Sequence, residues 1–188
     1  MTATEQRVMT LQLKVIFRPA RRDDLPKLEW HGEYTHFRRV FARAYEEQMQ
    51  GKRLMLLADV NNFPIGQVFV QLANTEDIFS FANRRAYLYS LRVMDAFRGQ
   101  GIGTALLQEA ERILSEHGYT SMSIAAAKDN PSARRLYERL GFEVTTEDSG
   151  HWNYVDHEGR TRHVVEPCWI LEKQLRGNPP PAQRKRGR

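Results

Sequence analysis

The chain has 188 residues, of which 41% are hydrophobic and 27% charged, and this composition suits one compact domain with an apolar core and argues against wholesale disorder. No segment approaches the roughly 20 apolar residues of a membrane-spanning helix, and the first residues lack the apolar stretch of a secretory signal, so we expect a cytoplasmic protein without a membrane partner. The net charge of +5 comes entirely from residues 176–188, which hold five Lys or Arg and no acid.

The basic charge therefore belongs to a tail and not to the folded body. We expect the Pro-rich tail at residues 176–188 to be disordered and to make at most weak, salt-sensitive contact with nucleic acid. The single thiol, Cys168, allows no internal disulfide and is expected to pack in the core. Three His at six-residue intervals from His151 do not complete a ligand pattern, so no metal is predicted.

Strand and helix patterns alternate in the first half of the domain. Alternating or continuous apolar runs predict strands, and apolar residues at helical spacing predict helices. The predicted strands lie at residues 11–17, 54–59, 65–72 and 86–93, and the predicted helices open at residues 23–26 and cover residues 36–50. Residues 61–64 are Asn-Asn-Phe-Pro, which indicates the turn of an antiparallel hairpin between two of these strands.

The second half contains a glycine-rich turn, two helices and several strands. The turn at residues 98–104 is followed by a helix that ends near Gly118, and Asn130 and Pro131 are the residue types that cap and begin a further helix. A short strand is predicted at residues 121–126, and the capped helix is predicted to end at Gly141. Strands follow between residues 142 and 175, with a turn at residues 156–159 and the last strand at residues 164–171.

The glycine-rich turn has the features of an anion site. Backbone N–H groups at the start of a helix are unpaired, and the helix dipole favours negative charge there. Gly99, Gly101 and Gly103 permit close approach of a ligand to the backbone, and Arg98 adds a positive charge. Neither the Walker pattern nor the G-x-G-x-x-G fingerprint is present. The run predicts a phosphate loop of another kind, with a plain tight turn as the competing interpretation.

Two motifs in the expected order resemble the GNAT superfamily of acyl-CoA-dependent N-acyltransferases. Residues 98–103 read Arg-Gly-Gln-Gly-Ile-Gly and match the Q/R-x-x-G-x-G/A signature of that superfamily. Residues 130–142, which begin Asn-Pro-Ser and end Leu-Gly-Phe, resemble its second landmark. The similarity is strongest over residues 87–142.

The resemblance implies an α/β fold of the mixed α+β type, in one domain at residues 11–175. The expected core is a twisted mixed sheet of about seven strands, flanked by about four helices. The sheet would be splayed between the strand ending at Val93 and the strand at residues 121–126, and acyl-CoA would be wedged into the split.

The same resemblance implies acetyl-CoA as the co-substrate, with no metal. The backbone of Leu91 and Val93 would pair with the pantetheine arm and polarise the thioester carbonyl, and the loop would bind the pyrophosphate. Asn130 would contact the pantetheine, and Tyr137 would protonate the departing thiolate. The implied cofactor-binding residues are Leu91, Val93, Arg98, Gly99, Gln100, Gly101, Ile102, Gly103, Thr104 and Asn130.

These roles lead to the hypothesis of an N-acetyltransferase that moves an acetyl group from acetyl-CoA to a primary amine by direct attack in a ternary complex. Some superfamily members carry an acid on the strand before the loop, where this chain has Tyr89 and Ser90, so no base is assigned. That departure supports an alternative function, a catalytically weak acyl-CoA-binding sensor or regulatory domain. A core aromatic without a chemical role is the competing interpretation of Tyr137.

The acceptor is not specified by the sequence. It is a small-molecule amine or the amine of a protein or peptide. The segment at residues 150–166 contains Trp152, Tyr154 and three His, and it is longer than a plain hairpin connection requires. We expect it to cover the acceptor pocket or to contact a second copy in a homodimer.

Overall fold

The structure, a computed structural model, describes residues 12–72 and 84–175. The strands are β1 (Ile16–Pro19), β2 (Arg53–Val60), β3 (Phe63–Gln71), β4 (Arg85–Val93), β5 (Ser121–Ala127), β6 (Glu143–Asp148), β7 (His151–Val155), β8 (Thr161–Val165) and β9 (Cys168–Gln174). The α-helices are α1 (Arg38–Met49), α2 (Ile102–Glu116) and α3 (Pro131–Arg139), and 3-10 segments occupy Arg22–Gly32, Thr35–Phe37 and Asp95–Phe97. The tail at residues 176–188 and the first residue of the strand predicted at residues 11–17 lie outside the described residues.

Seven strands form one mixed sheet in the order β1-β2-β3-β4-β5-β9-β6, and β7 and β8 form a separate antiparallel hairpin. In the sheet, β4 and β5 are parallel and the other neighbours are antiparallel. This confirms the expected α/β fold with a seven-stranded mixed sheet.

Both faces of the central strands are buried, which explains the unbroken apolar runs of β2 and β3. Successive side chains of a strand point to opposite faces, so Leu56 and Val68 pack against α2 while Leu57 and Phe69 pack against α1. The turn predicted at residues 61–64 is confirmed as a tight hairpin, in which Asn61 and Asn62 adopt left-handed backbone angles with φ of 52° and 61°.

Three predicted elements are wrong in type or extent. The first strand, predicted at residues 11–17, is β1 at Ile16–Pro19, and residues 12–15 are not in a strand. The helix expected to open at residues 23–26 is a 3-10 segment, and it contains Pro26, which lacks the N–H of a helical hydrogen bond. The last strand, predicted at residues 164–171, is instead divided between β8 and β9. The sequence Glu166-Pro167 separates them, because a proline interrupts strand pairing.

The sheet opens between β4 and β5. Their pairing runs from Arg85 with Ser121 to Leu88 with Ile124, and β4 then continues to Val93 without β5 as a neighbour. Just beyond the paired part, Ser90 has a φ of 53°, and the register between β4 and β3 shifts, as in a β-bulge. A bulge bends its strand, so it turns β4 away from β5 and produces the expected splay.

Candidate active site

A cleft with a volume of about 1120 Å³ lies between the separated ends of β4 and β5. Its walls come mainly from β4, β5, α1, α3, β7 and β9. Of the residues proposed from sequence, Leu91, Asn130 and Tyr137 line this cleft. Beyond Leu88, the edge of β4 that faces β5 has no strand partner among the described residues, so its backbone groups are available to a ligand except for the carbonyls of Ser90 and Val93, which accept from Gln67 and Arg98.

The glycine loop forms the uncapped start of α2. Gly101, the residue before the helix, is left-handed with a φ of 82°, and no side chain of the described residues caps the helix. A Cβ atom placed on Gly99 or Gly101 would meet no described atom within 4 Å. The first backbone N–H groups of α2 therefore stand at an open surface, as an anion site requires. Gln100, Ile102, Gly103 and Thr104 belong to the same turn.

Arg98 is fixed against the loop. Its Nε donates a hydrogen bond to the Val93 carbonyl at 3.0 Å, and its Nη2 lies 2.9 Å from a carboxylate oxygen of Asp95. The side chain is 61% exposed, so the charge faces solvent beside the glycines. Val93 and the loop adjoin the cleft but do not line it, and Gly103 sits close to both Val93 and Leu136.

Tyr137 is a core residue that also lines the cleft. It is only 5% exposed, and its ring lies 6.0 Å from that of Phe142. Burial, with a smaller contribution from Tyr87, raises the pKa of Tyr137 to about 12. The phenol is therefore protonated at neutral pH and can act as a hydrogen-bond donor or acid. The two interpretations of this residue, core aromatic and proton donor, are compatible.

Asn130 caps α3, as predicted. Its side-chain oxygen accepts a hydrogen bond from the backbone N–H of Ala133 at 3.0 Å, and Pro131 is the first helical residue. Within residues 12–72 and 84–175, its amide nitrogen donates no hydrogen bond, so it is available to a ligand. The one side chain can thus both stabilise α3 and contact a cofactor.

Substitution of Asn130 should separate these two roles. We expect Asn130→Ala to lower the free energy of unfolding by about 1 kcal/mol, because the cap is lost, and Asn130→Asp to retain the cap and the stability. Both substitutions remove the amide donor, so both should weaken acetyl-CoA binding. Urea unfolding measures the first effect and titration with acetyl-CoA the second; equal stability of the Ala and Asp variants would contradict the capping role.

A polar chain that the sequence did not reveal joins α1, β2 and β4. Arg53 donates a hydrogen bond to the Tyr89 hydroxyl oxygen, and its Nη2 lies 2.5 Å from the Glu47 carboxylate. All three residues line the cleft. Since the Tyr89 hydroxyl oxygen accepts from Arg53, the Tyr89 O–H group can donate a hydrogen bond to another acceptor. These residues come from three elements, and no local spacing signals their contact.

The hairpin of β7 and β8 borders the same cleft. Trp152 and Tyr154 line it, and their rings lie 6.4 Å and 4.8 Å from the ring of Phe37. Part of the segment at residues 150–166 therefore lines one side of the cleft. Its two expected roles, to cover the acceptor pocket or to contact a second copy, stay predictions.

Cys168 is buried, and burial raises the pKa of its thiol, which keeps it neutral. Within the described parts of the chain, no group of three or more His, Cys, Asp or Glu could hold a metal ion. No helix among the described residues is both long and apolar enough to cross a membrane.

Comparison with known proteins gives a consistent result. The family model described as the Acetyltransferase (GNAT) family matches residues 18–142. The probable N-acetyltransferase san of Drosophila melanogaster is 27% identical over 139 residues, which are 72% of this chain and 67% of that protein.

Solved structures share the fold. Arabidopsis thaliana NAA60 in complex with acetyl-CoA has a TM-score of 0.64 at 20% identity and covers 87% of this chain and 100% of its own. The ribosomal-protein-S18-alanine N-acetyltransferase of Escherichia coli has a TM-score of 0.63 at 20% identity and covers 86% and 94%. Arabidopsis thaliana Naa50, with the bisubstrate analogue CoA-Ac-MVNAL, has a TM-score of 0.61 at 21% identity and covers 85% and 97%.

Proposed function

The chain belongs to the acetyltransferase (GNAT) family, and from that premise we propose that it moves an acetyl group from acetyl-CoA to a primary amine by direct attack in a ternary complex. The observation that carries the proposal is a group of three neighbouring parts: a cleft along an unpaired edge of β4, a protonated phenol in the wall of that cleft, and an uncapped glycine turn that adjoins it. Each part answers one need of acyl transfer from a thioester.

The pyrophosphate of acetyl-CoA would lie at the start of α2, where Gly99 and Gly101 keep the surface open and Arg98 adds positive charge. The pantetheine arm would run along the free edge of β4 as an added strand, held by the backbone of Leu91 and Val93. The amide of Asn130 would contact it from α3.

The reaction needs one bond formed and one broken. The neutral amine attacks the thioester carbon, and backbone N–H groups of β4 stabilise the oxyanion of the tetrahedral intermediate. Its collapse breaks the C–S bond, and Tyr137 gives its proton to the departing thiolate. The attacking amine would give up a proton to water, and the hydroxyl of Tyr89, which accepts from Arg53, would hold that water.

The relatives favour a peptide or protein amine over a small-molecule amine as the acceptor. One is bound to the peptide-containing analogue CoA-Ac-MVNAL, and another is named for ribosomal protein S18. The cleft, at about 1120 Å³, has room for a peptide end beside a pantetheine arm. A cytoplasmic location and a homodimer stay predictions.

Release of coenzyme A tests the proposal. The purified chain is mixed with acetyl-CoA and with a panel of peptide, amino-acid and polyamine acceptors, and free thiol is followed over time. We expect thiol release above the acceptor-free rate with at least one class. If acetyl-CoA stabilises the fold but no acceptor accelerates thiol release, the alternative of a binding sensor replaces the enzyme.

A further inference from the structure

Arg92 is a cation in the cleft wall without a partner. It follows the bulge at Ser90 on β4 and lines the cleft. Among residues 12–72 and 84–175, its guanidinium makes neither an ion pair nor a hydrogen bond, and its Nη1 is fully buried with no partner. The other cleft arginine held close to β4, Arg53, is in contrast neutralised by Glu47. Arg92, half-buried as a residue, is thus set apart by its buried Nη1 together with its lack of an anion among the described residues.

The guanidinium is held in place by aromatic rings. Its Cζ lies 4.5 Å from the centre of the Tyr34 ring and 4.7 Å from that of Phe37. These cation–π contacts fix its orientation but do not replace a hydrogen-bond acceptor. Glu33 and Glu166 attract Arg92 only from beyond ion-pair distance, and burial lowers the pKa of its guanidinium. The fold therefore keeps a poorly solvated charge that it does not itself neutralise. Such a charge disfavours folding, so its presence indicates a role in binding a ligand.

A bridging water alone would not account for this arrangement. Gln67 pairs with Arg92 across β3 and β4, and its Oε1 is also buried without a partner in the described residues. A water between the two side chains would satisfy one acceptor and one donor. The guanidinium has five N–H donors, so such a water would leave most of them without an acceptor, and Arg92, unlike Gln67, lines the cleft.

The position of Arg92 separates it from the cofactor phosphates. Its neighbours Tyr34 and Phe37 pack with α1 on one face of the sheet, whereas the glycine loop leads into α2 on the other face. In sequence it stands between Leu91 and Val93, which would hold the thioester. A group bound by Arg92 therefore lies beside the reacting carbonyl on the α1 side, which is where an acceptor can approach.

We propose that Arg92 binds a carboxylate of the acceptor, so that this enzyme acts on amines that carry a carboxylate a few bonds from the attacking nitrogen. A guanidinium presents paired N–H donors that match a carboxylate in a bidentate geometry. Two sources share this chemistry: the α-carboxylate of a free amino acid and the side chain of an acidic first or second residue in a peptide. The inference rests on the proposed acetyl transfer.

Acceptors that differ only in one carboxylate test the inference. One arm compares free amino acids with their amides. The other compares peptides, amidated at the C-terminus, that have Asp or Asn, or Glu or Gln, as the first or second residue. We expect wild type to favour the carboxylate member of a pair at least tenfold in kcat/KM, and the arm that shows this preference identifies the source.

Variants of Arg92 and of a second cleft arginine show whether the preference for a carboxylate depends on Arg92. Arg92→Met keeps a long side chain between the rings and should reduce the preference to within twofold, whereas Arg92→Lys should retain part of it. Arg39 is an exposed arginine of the same cleft, and Arg39→Met should leave the preference intact. The inference is wrong if wild type shows no preference or if Arg92→Met keeps it.

Thermal unfolding distinguishes binding from a structural role. Because Arg92 is an uncompensated charge, Arg92→Met should unfold at the same or a higher temperature than wild type. A lower unfolding temperature, with equal loss of activity on acid and amide acceptors, would mean that Arg92 only supports the fold.

Failure of acetyl transfer itself has a different signature. In that case no acceptor releases thiol while acetyl-CoA still stabilises the chain. The acid and amide acceptors are then compared by their shift of the unfolding midpoint: a shift by the acid alone, absent in Arg92→Met, supports the carboxylate site, and equal shifts overturn it.

Discussion

Saturating acetyl-CoA should raise the thermal unfolding midpoint of wild type and leave that of Gly101→Glu unchanged. A ligand at about 100 times its Kd stabilises the folded state by about 2.7 kcal/mol, which is a readily measured shift. Gly101 immediately precedes α2, where the pyrophosphate is proposed to bind. A glutamate there brings a negative charge to the anion site and fills the open surface above the first N–H groups. The kcat/KM for acetyl-CoA should fall at least a hundredfold.

Gly118 offers a matched control at the other end of α2. Its φ of 74° is close to the 82° of Gly101, and a Cβ would likewise meet no described atom within 4 Å. Both substitutions by glutamate should therefore cost a similar 1–2 kcal/mol or so of left-handed strain. Only Gly101→Glu should lose the response to acetyl-CoA. If Gly118→Glu loses it equally, or if Gly101→Glu retains it, the pyrophosphate does not bind at this helix start.

Replacement of Tyr137 by phenylalanine should lower kcat by about a hundredfold or more while acetyl-CoA still stabilises the variant. Loss of a positioned acid typically costs 10²–10⁴-fold in rate. No hydrogen bond of the hydroxyl is present among the described residues, so its removal leaves no partner unsatisfied, and stability should change by no more than about 0.5 kcal/mol. Tyr119 is buried in the same core and does not line the cleft, so Tyr119→Phe should leave kcat unchanged.

The pH dependence follows from the raised pKa of Tyr137. An acid works only below its pKa, and this pKa is about 12. Ionisation of Tyr137 should therefore not reduce kcat between pH 7 and pH 10, whereas an ordinary tyrosine, with a pKa near 10, would already be half ionised at the upper limit. Rates with a thiol-release assay across this range provide the measurement. A decline of kcat centred near pH 10 that vanishes in Tyr137→Phe would contradict the burial argument.

The predicted responses of Gly101→Glu and Tyr137→Phe separate the two candidate functions, enzyme and binding sensor. An enzyme requires both the response to acetyl-CoA and a rate that depends on Tyr137. A sensor requires only the first. The absence of an acid at Tyr89 and Ser90, which favours a sensor on sequence alone, has less weight now that Arg53 is seen to orient the Tyr89 hydroxyl.

The sequence by itself determined the features that depend on near neighbours. The glycine turn before α2, the Asn130 cap of α3 and the hairpin at Asn61 and Asn62 each rest on residues within about four positions of one another. Such contacts form inside one element or at its end, so residue type and spacing suffice to predict them. The order of most elements along the chain follows from the same local signals, whereas the seven-stranded sheet was implied by the resemblance to the GNAT superfamily.

Only the tertiary structure decided how the cleft is made. The bulge places a serine, Ser90, at a positive φ, and an alternating apolar pattern does not reveal that an extra residue is present opposite β3. Likewise, Pro167 divides what the apolar pattern presents as one strand, so that the hairpin of β7 and β8 leaves the sheet to border the cleft.

The environment of the Arg92 charge is the clearest example of a feature that only the tertiary structure decides. In the sequence it is one of many arginines, and a solvated surface charge is the ordinary expectation on a strand near a turn. The bulge after Tyr89 and the rings of Tyr34 and Phe37, about 55 residues away in the chain, half-bury it, enclose its Nη1 and leave it without an anion among the described residues. Desolvation of a charge depends on every group packed around it, so it is decided by the assembled fold and not by any local pattern.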